Sequence, residues 1–281
     1  MICSTWQDIP PLEGLVFVPT MGALHEGHLS LIREAATRGK PVVVSIFVNP
    51  TQFAPNEDFA TYPRGLEADA ALAISAGASI VYAPSAEEIY PNGPETAAKE
   101  FPPASLPSVS CTPKLEDSGR PHFFRGVLVV LTRFFDLLRP SEVLMGEKDW
   151  QQLQSVTAYC KATPRFSSIT ITPVPTCRET SGLAMSSRNA YLSPESQDSA
   201  LGLWNALLAA DGCSSVESGE ERMAATLRSH GLECEYAVIR DSETLGPPRP
   251  DRPLRALIAA KITQKNGDIR LIDNAAITLA S

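Results

Sequence analysis

The chain has 281 residues, and its 24 Lys and Arg against 32 Asp and Glu give a formal net charge of −8. A protein that coats nucleic acid normally has a basic surplus, so this charge argues against a nucleic-acid partner but leaves room for a small anion in a local cationic pocket. Hydrophobic residues make up 43%, which excludes disordered and fibrous chains and favours about two domains. No run of about 18 apolar residues occurs, and the first fifteen residues lack the features of a signal peptide, so we expect a cytoplasmic location and no membrane partner.

The first part of the chain alternates short apolar runs with stretches that have the spacing of helices. Continuous apolar runs are typical of strands that are covered on both faces. The order of strand and helix predicts a Rossmann-like, doubly wound parallel sheet, in which ligands bind beyond the carboxyl ends of the strands. The predicted strands are residues 15–18, 42–48, 79–82 and 142–145, and the predicted helices are residues 29–35, 66–76 and 127–138.

Residues 90–123 break the alternation because seven prolines interrupt any helix there. We expect a long connection without regular structure, which is either a lid over a site or a surface loop without further function.

The order of elements changes after a strand-like run at residues 169–176. Two helices followed by three strands predict a smaller α+β unit. The expected domains are therefore residues 1–174 and residues 175–281. The helices of the second domain are expected near residues 194–210 and 216–230, and its strands near 234–239, 254–262 and 269–279.

Residues 19–28 (PTMGALHEGH) follow the first predicted strand and open a helix. Gly22 and Gly27 allow a tight turn near a ligand, and a helix start offers N–H groups and a positive dipole end to a phosphate. His25 and His28 can share one face of the first turn and donate hydrogen bonds to phosphate oxygens without a metal. The segment is neither a P-loop, because His28 replaces the lysine, nor a GxGxxG fingerprint.

Two further polar segments follow predicted strands. Asn49 and Gln52 carry amides suited to a small polyol acid, although they also fit a turn and a surface position. In residues 146–149 (GEKD), Lys148 can neutralise phosphate charge and Asp149 can accept a hydrogen bond from a ribose hydroxyl. The same four residues would also be typical of a solvated turn.

Five segments resemble, in order, those of the pantothenate synthetase family, the pantoate:β-alanine ligases of the HxGH nucleotidyl-transferring superfamily. The likeness extends from about residue 14 to the LIDN stretch at residues 271–274. The five segments are residues 19–28, 45–53 (SIFVNPTQF), 62–64 (YPR), 146–152 (GEKDWQQ) and 182–189 (GLAMSSRN).

The resemblance implies the residues that bind ATP and those that act in catalysis. Ser186, Ser187 and Arg188 resemble the family's KMSKS-type loop, whose hydroxyls and cation suit a departing pyrophosphate, although serine-rich segments are also common in plain loops. Because this segment lies near the predicted domain junction, we expect the second domain to be a mobile lid that closes when ATP is bound. The implied catalytic residues are His25, His28, Lys148, Ser186, Ser187 and Arg188. The implied ATP-binding residues are Met21, Gly22, Ala23, Leu24, His25, Glu26, Gly27, His28, Gly146, Glu147, Lys148, Asp149, Cys177, Met185, Ser186, Ser187 and Arg188.

The resemblance also implies that pantoate and β-alanine contact Asn49, Gln52, Arg120 and Gln152. Phe123 stands where many members of the family have histidine, and His122 is displaced by one position, so we assign His122 no role.

Cys177 and Ala68 also depart from the family pattern. Cys177 stands where valine is common beside the adenine, a contact made largely by backbone. Asp69 matches an acidic position near magnesium and the phosphates, but Ala68 precedes it and a carboxylate pair is lost. Asp69 is thus either a Mg²⁺ ligand or a plain residue on a helix surface.

The implied reaction is the ATP-dependent condensation of (R)-pantoate with β-alanine through a pantoyl adenylate, releasing AMP and pyrophosphate, by a homodimer that uses Mg²⁺. A nucleotidylyltransferase is a second interpretation, but its phosphorylated acceptor would call for more Arg and Lys than the NPTQF segment has. A class I aminoacyl-tRNA synthetase fits less well because the acidic chain shows no tRNA-binding extension. A nucleotide-binding regulator without turnover is the non-enzymatic alternative.

Overall fold

The computed structural model describes residues 1–54, 59–265 and 267–280. These residues group into two compact units. The first unit is Met1–Gly146 with Gln151–Val174, and the second is Glu147–Trp150 with the chain from Pro175 onward. The change of unit after Val174 falls where the sequence predicts a domain boundary, but the prediction keeps Glu147–Trp150 in the first domain. Residue 281 of the predicted second domain lies outside the described residues.

The first unit contains a six-stranded parallel sheet with the order β1-β4-β3-β2-β5-β6. The doubly wound α/β fold predicted from the sequence is therefore confirmed. Strand order reverses between β2 and β5, and the carboxyl ends beside such a reversal are where doubly wound sheets bind ligands. The strands are β1 (Ile2–Cys3), β2 (Val16–Thr20), β3 (Val42–Ile46), β4 (Ile80–Tyr82), β5 (Glu142–Gly146) and β6 (Thr170–Val174).

Helices cover both faces of this sheet, because successive side chains of a strand point to opposite faces. Val16 and Val18 of β2 pack in a core with the helices α1 (Glu26–Ala36) and α2 (Leu66–Ser75). Phe17 points the other way and meets Phe134, with ring centroids 5.3 Å apart. The remaining helices of this unit are α3 (Ala86–Ile89), α4 (Pro94–Glu100), α5 (Glu116–Gly119), α6 (Phe123–Leu138) and α7 (Trp150–Ala162), whose first residue groups with the second unit.

The prediction that residues 90–123 lack regular structure is wrong, because α4, α5 and two short 3₁₀ turns lie there. Pro94 is the first residue of α4, where its missing N–H is not needed and its fixed φ favours a helix start. Pro94 therefore begins a helix in this region instead of preventing one.

The second unit contains an antiparallel sheet with the order β7-β8-β9, and two helices pack against it. Apolar residues of these elements form one core, as the sequence predicts for a small α+β unit. Among the described residues, no helix combines the length and apolar character needed to cross a membrane. The elements are α8 (Pro194–Ala210), α9 (Val216–Ser229), β7 (Glu233–Asp241), β8 (Leu254–Ile262) and β9 (Ile269–Ile277).

Gly126 lets α6 approach the turn Pro50–Gln52 closely. A Cβ at position 126 would lie 2.2 Å from the carbonyl oxygen of Thr51. We therefore expect Gly126→Ala to lower the free energy of unfolding by about 1–3 kcal/mol through overpacking, as measured by denaturant titration. Gly119→Ala is the control, since no atom lies within 4 Å of its Cβ, and it should change stability by less than about 0.5 kcal/mol. Equal effects of the two substitutions would contradict this account.

Candidate active site

The corner between β2 and α1 has an unusual backbone that a buried carboxylate holds in place. Gly22 and Ala23 have φ angles of +86° and +51°, in the left-handed region that costs a residue with a Cβ free energy. Asp69 of α2 is only 5% exposed. Its Oδ2 accepts a hydrogen bond from the Ala23 N–H and its Oδ1 one from the Leu24 N–H, both at 2.8 Å. One side chain thus satisfies two consecutive main-chain donors of this corner.

Asp69 is therefore not the plain surface residue that the sequence leaves open as one alternative. Charge-assisted hydrogen bonds to main-chain N–H groups are stronger than neutral ones. Gly22 is required at the same place, because its Cβ would lie 2.9 Å from the Asp69 carboxylate. The sequence does not indicate this role, because Asp69 is 46 and 45 positions away from the two donors.

His25 and His28 form the start of α1 with their own side chains. Nδ1 of His25, the N-cap residue, accepts from the Gly27 N–H at 3.1 Å, and Nδ1 of His28 accepts from the His25 N–H at 3.3 Å. This is a capping box built from two imidazoles, whose ring centroids lie 4.1 Å apart with the ring planes tilted by 43°. A ring nitrogen that accepts a hydrogen bond carries no proton, so each neutral ring has its proton on Nε2.

The predicted ATP residues at this corner thus fall into two groups. The first group shapes the turn with its main chain and consists of Gly22, Ala23, Leu24 and Gly27. The second group is the two histidines, whose rings have Nε2 as a donor. Glu26 is different, because its exposed carboxylate pairs with Arg33 of the same helix. The hydrogen bond from Arg33 lowers the pKa of Glu26, so this side chain is an anion at neutral pH.

No group of three or more His, Cys, Asp or Glu side chains in residues 1–54, 59–265 and 267–280 could hold a metal ion. Both oxygens of Asp69 already accept main-chain hydrogen bonds. Mg²⁺ commonly keeps several waters and is bound through substrate phosphates with one or two carboxylates. The described residues therefore do not form a metal site by themselves, and contact of Asp69 with Mg²⁺ held mainly by nucleotide phosphates stays a prediction.

The side-chain amide of Asn49 makes hydrogen bonds with both its nitrogen and its oxygen, and one of them is to Gln52. It is 1% exposed, and its Nδ2 donates to Gln52 Oε1 at 2.9 Å and to the Gly126 carbonyl at 3.1 Å. Its Oδ1 accepts from Thr51 and, at 2.7 Å, from the Tyr90 hydroxyl. Burial raises the pKa of Tyr90, so its hydroxyl remains a donor. Contact of Asn49 with pantoate stays a prediction, and these bonds show that it orients Gln52.

Gln52 is brought together with two other predicted site residues. Its Nε2 donates to Met21 Sδ at 3.0 Å, and its carbonyl accepts from Arg120 at 3.2 Å. The Arg120 guanidinium also lies 4.0 Å from the centroid of the Phe123 ring, the residue that departs from the family pattern. Met21, Gln52 and Arg120 therefore lie together beside the carboxyl ends of β2 and β3.

Gln152 is half-buried on α7, and the preceding Gln151 has a structural role. Gln151 is 3% exposed, accepts from the Glu116 N–H, and donates to the Val109 carbonyl and to Asp117. It thus fixes the proline-rich segment to α7. His122 also lies beside this segment's end, and its Nε2 is buried without a hydrogen-bond partner among the described residues.

In the second unit, the segment Glu147–Trp150 lies against the sheet. Asn274 of β9 donates to the carbonyl oxygens of Glu147 and Lys148, and Arg255 of β8 pairs with Glu147 at 2.9 Å. The Arg255 guanidinium lies 3.4 Å from the centroid of the Trp150 ring. Burial lowers the pKa of Arg255, and Glu147 opposes this shift. Gly146, the remaining predicted residue of this segment, ends β5 in the first unit.

The predicted Ser186–Arg188 segment ends a short hairpin. Arg178 and Ala184 form an isolated antiparallel bridge, and the Met185 N–H donates to the Cys177 carbonyl at 3.0 Å. Ser186 caps the 3₁₀ turn Ser187–Tyr191 by accepting from the Arg188 N–H at 3.2 Å. The contact of Cys177 Sγ with Met185 Sδ, at 3.6 Å, lies beside this hairpin.

Lys148, Ser186 and Asn189 line one small cavity of the second unit. Within the described part of the chain, Oδ1 of Asn189 is buried without a hydrogen-bond partner. The lysine ammonium and the serine hydroxyl can donate hydrogen bonds to an anionic oxygen, whereas the open amide oxygen and the Asp273 carboxylate that also lines the cavity can accept from an N–H or O–H of a ligand. Lys148 Nζ also lies 3.8 Å from the half-exposed carboxylate of Asp149.

Several polar residues that shape the site receive no role from sequence patterns alone. Arg255, Asp273 and Asn274 lie in β8 and β9, and each is at most 5% exposed. A charged or amide residue inside an otherwise apolar strand is the signal that could have found them, because such groups are rarely buried unless they are paired.

Comparison with known proteins gives a family and related solved structures. A family model described as Pantoate-beta-alanine ligase matches residues 4–276. Pantothenate synthetase 2 of Bradyrhizobium diazoefficiens is 43% identical over 271 residues, covering 94% of this chain and 90% of its own. A crystal structure of pantothenate synthetase from Thermus thermophilus has a TM-score of 0.83 at 37% identity and covers 98% of both chains. A pantoate-β-alanine ligase from Francisella tularensis, complexed with βγ ATP and β-alanine, has a TM-score of 0.75 at 31% identity and covers 98% of this chain and 97% of its own.

We expect Asp69→Asn to weaken the β2–α1 corner. The amide keeps one acceptor oxygen but turns an N–H₂ group toward the second main-chain N–H. Leaving a buried donor unsatisfied should lower the free energy of unfolding by about 1–3 kcal/mol in denaturant titrations. Asp136→Asn is the matched control, because this carboxylate forms an exposed pair with Arg165, and its loss should cost less than about 1 kcal/mol. An Asp69→Asn protein as stable as the control would contradict the role of Asp69.

Proposed function

The chain belongs to the pantoate-β-alanine ligase family, and on that premise we propose that it condenses (R)-pantoate with β-alanine through a pantoyl adenylate. The observation that carries the proposal is the corner of His25 and His28 at the start of α1. Both rings use Nδ1 as an acceptor for main-chain N–H groups, so both offer Nε2–H to an anion. A helix N-terminus adds its positive dipole end to the same place.

In the first step, a carboxylate oxygen of pantoate attacks the α-phosphorus of ATP. The new bond joins this oxygen to phosphorus, the bond from the α-phosphorus to the bridging oxygen breaks, and pyrophosphate leaves with the bond electrons. Such transfers depend on positioning and on stabilisation of the charge that develops on phosphate oxygens. No side chain needs to act as a nucleophile.

We assign the charge stabilisation to the six predicted catalytic residues. In the first unit, His25 and His28 donate through Nε2 to phosphate oxygens. In the second unit, Lys148 and Arg188 supply positive charge, and Ser186 and Ser187 supply hydroxyl donors for the leaving pyrophosphate. The cavity that Lys148 shares with Ser186 supports a common ligand for these two residues. The remaining predicted ATP contacts, including Cys177 and Met185, are part of this proposal.

In the second step, the amine of β-alanine attacks the activated carbonyl of pantoyl adenylate. The C–N bond forms, the bond from the carbonyl carbon to the phosphate oxygen breaks, AMP leaves, and the ammonium nitrogen loses a proton. We propose that Gln52 binds pantoate with its amide, which Asn49 orients, together with Gln152 and Arg120. The bond from Gln52 to Met21 supports pantoate binding next to the nucleotide.

Mg²⁺ enters this scheme as part of the nucleotide substrate. It would neutralise charge on the phosphates, and Asp69 would contribute mainly by holding the corner that binds them. The homodimeric state, the cytoplasmic location and the closing movement of the second unit stay predictions from the resemblance.

We expect pantoate-dependent exchange of labelled pyrophosphate into ATP in the absence of β-alanine. The exchange follows from reversible formation of pantoyl adenylate. Omitting pantoate is the control and should abolish it. A nucleotide-binding regulator would show no exchange, and a nucleotidylyltransferase would show none with pantoate, so either result would contradict the proposed function.

We expect His28→Ala and Lys148→Ala each to lower the rate of exchange by about 10²- to 10³-fold, because each removes a donor aimed at developing charge. The folded state should persist, as judged by circular dichroism. His230→Ala and Lys261→Ala are the matched controls, since these residues contact Asn205 and Glu235 in the second unit. Near-wild-type exchange in both site variants would contradict the assignment.

A further inference from the structure

Asn274 binds the main chain on both sides of Lys148, through the peptide that precedes this residue and the peptide that follows it. Its Nδ2 donates to the Glu147 carbonyl at 3.0 Å and to the Lys148 carbonyl at 2.8 Å. Its Oδ1 accepts from Arg255 Nε at 2.7 Å. Asn274 is 3% exposed, so both of its amide hydrogens and its oxygen are used inside the protein.

Arg255 holds the same segment from β8. Its guanidinium donates to Asn274 and to Glu147, and it stacks on Trp150. Trp150 in turn donates from Nε1 to the Ser242 carbonyl at 2.7 Å. Residues 147, 148 and 150 are thereby all fixed to the three-stranded sheet.

The neighbouring residue on β9 holds the hairpin that leads to Ser186. Asp273 accepts two hydrogen bonds from Arg178, at 2.6 and 2.9 Å, and one from the Asn274 N–H at 2.7 Å. Arg178 also donates to the Gly182 carbonyl at 3.1 Å and stacks on Trp204. Since adjacent residues of a strand point to opposite faces, Asp273 and Asn274 hold the two segments from opposite sides of one strand.

We propose that Asn274 is a positioning residue for Lys148: it fixes the peptide that carries this lysine at the cavity that Lys148 shares with Ser186. This inference rests on the proposed function, in which Lys148 stabilises charge on the phosphates. Because catalysis by positioned charge is sensitive to displacements of about 1 Å, loss of the two hydrogen bonds lowers turnover more than nucleotide binding.

The primary test is Asn274→Asp, which keeps the size of the side chain and its oxygen for Arg255 but replaces both donors with an acceptor. We expect kcat to fall by about 10- to 100-fold with a much smaller change in KM for ATP. Asn274→Ser, which adds no buried charge and keeps one donor, should give a smaller fall of the same kind. Ile277→Val, a core change on the same strand, is the control for a general loss of stability and should leave kcat unchanged.

A double-mutant cycle with Lys148→Ala separates positioning from a merely structural role. If Asn274 acts through Lys148, the variant Lys148→Ala/Asn274→Asp should be no more than about threefold slower than Lys148→Ala alone. A rate that falls by the product of the two single effects would overturn the proposal. So would wild-type kcat in both Asn274 variants.

Hydrogen exchange followed by mass spectrometry tests the same proposal without activity. Asn274→Asp should accelerate exchange in peptides that cover residues 147–150 and leave those of α8 unchanged. Unchanged exchange at residues 147–150 would overturn the positioning role. If the wild-type protein showed no pantoate-dependent exchange of pyrophosphate into ATP, that result would instead overturn the proposed function. The two failures are therefore distinguishable.

Discussion

The carboxylate of Asp69 makes the candidate active site possible, because it satisfies a corner of main chain that is strained by itself. Two consecutive residues with positive φ, one of them alanine, turn the chain from β2 into α1. A buried anion that accepts from the next two N–H groups offsets that cost and fixes where the helix begins. The positions of His25 and His28 follow from this start, since each ring is held by an N–H of the first turn.

In the second unit a buried side chain also holds a short loop, but as a hydrogen-bond donor instead of an acceptor. Asp69 accepts from two consecutive N–H groups, whereas Asn274 donates to two consecutive carbonyl oxygens on the segment that carries Lys148. In both places a single buried side chain from a distant element holds a short loop with proposed phosphate donors. A loop held in this way loses little further entropy when a ligand binds, and preorganised donors are the main source of electrostatic stabilisation in a transition state.

Sequence patterns predict the fold well where local and global preferences agree. Apolar runs and helical spacing locate β2 to β6 and α8 to within a few residues, but they miss the two-residue strand β1. The HxGH segment after β2 predicts a site at the carboxyl ends of the strands. They fail in residues 90–123, where Pro94 begins a helix instead of preventing one. They also miss the functions of Asp69, Arg255 and Asn274, because hydrogen bonds between residues far apart in sequence depend on tertiary packing, which has no local signal. Sequence patterns likewise do not show that Glu147–Trp150 groups with the second unit, because the hydrogen bonds that hold this segment come from β8 and β9, more than 100 positions later.

If His25 and His28 donate to phosphate oxygens, both meet the nucleotide as neutral rings protonated at Nε2. The chain has only four histidines, so ¹⁵N NMR of the imidazole nitrogens can resolve them, with His230 as an internal control. We expect both site rings to show the Nε2–H form without nucleotide, and their Nε2 resonances to shift on addition of Mg²⁺ and a non-hydrolysable ATP analogue while those of His230 do not. Rings protonated at Nδ1, or Nε2 resonances of His25 and His28 that ignore the nucleotide, would contradict the account.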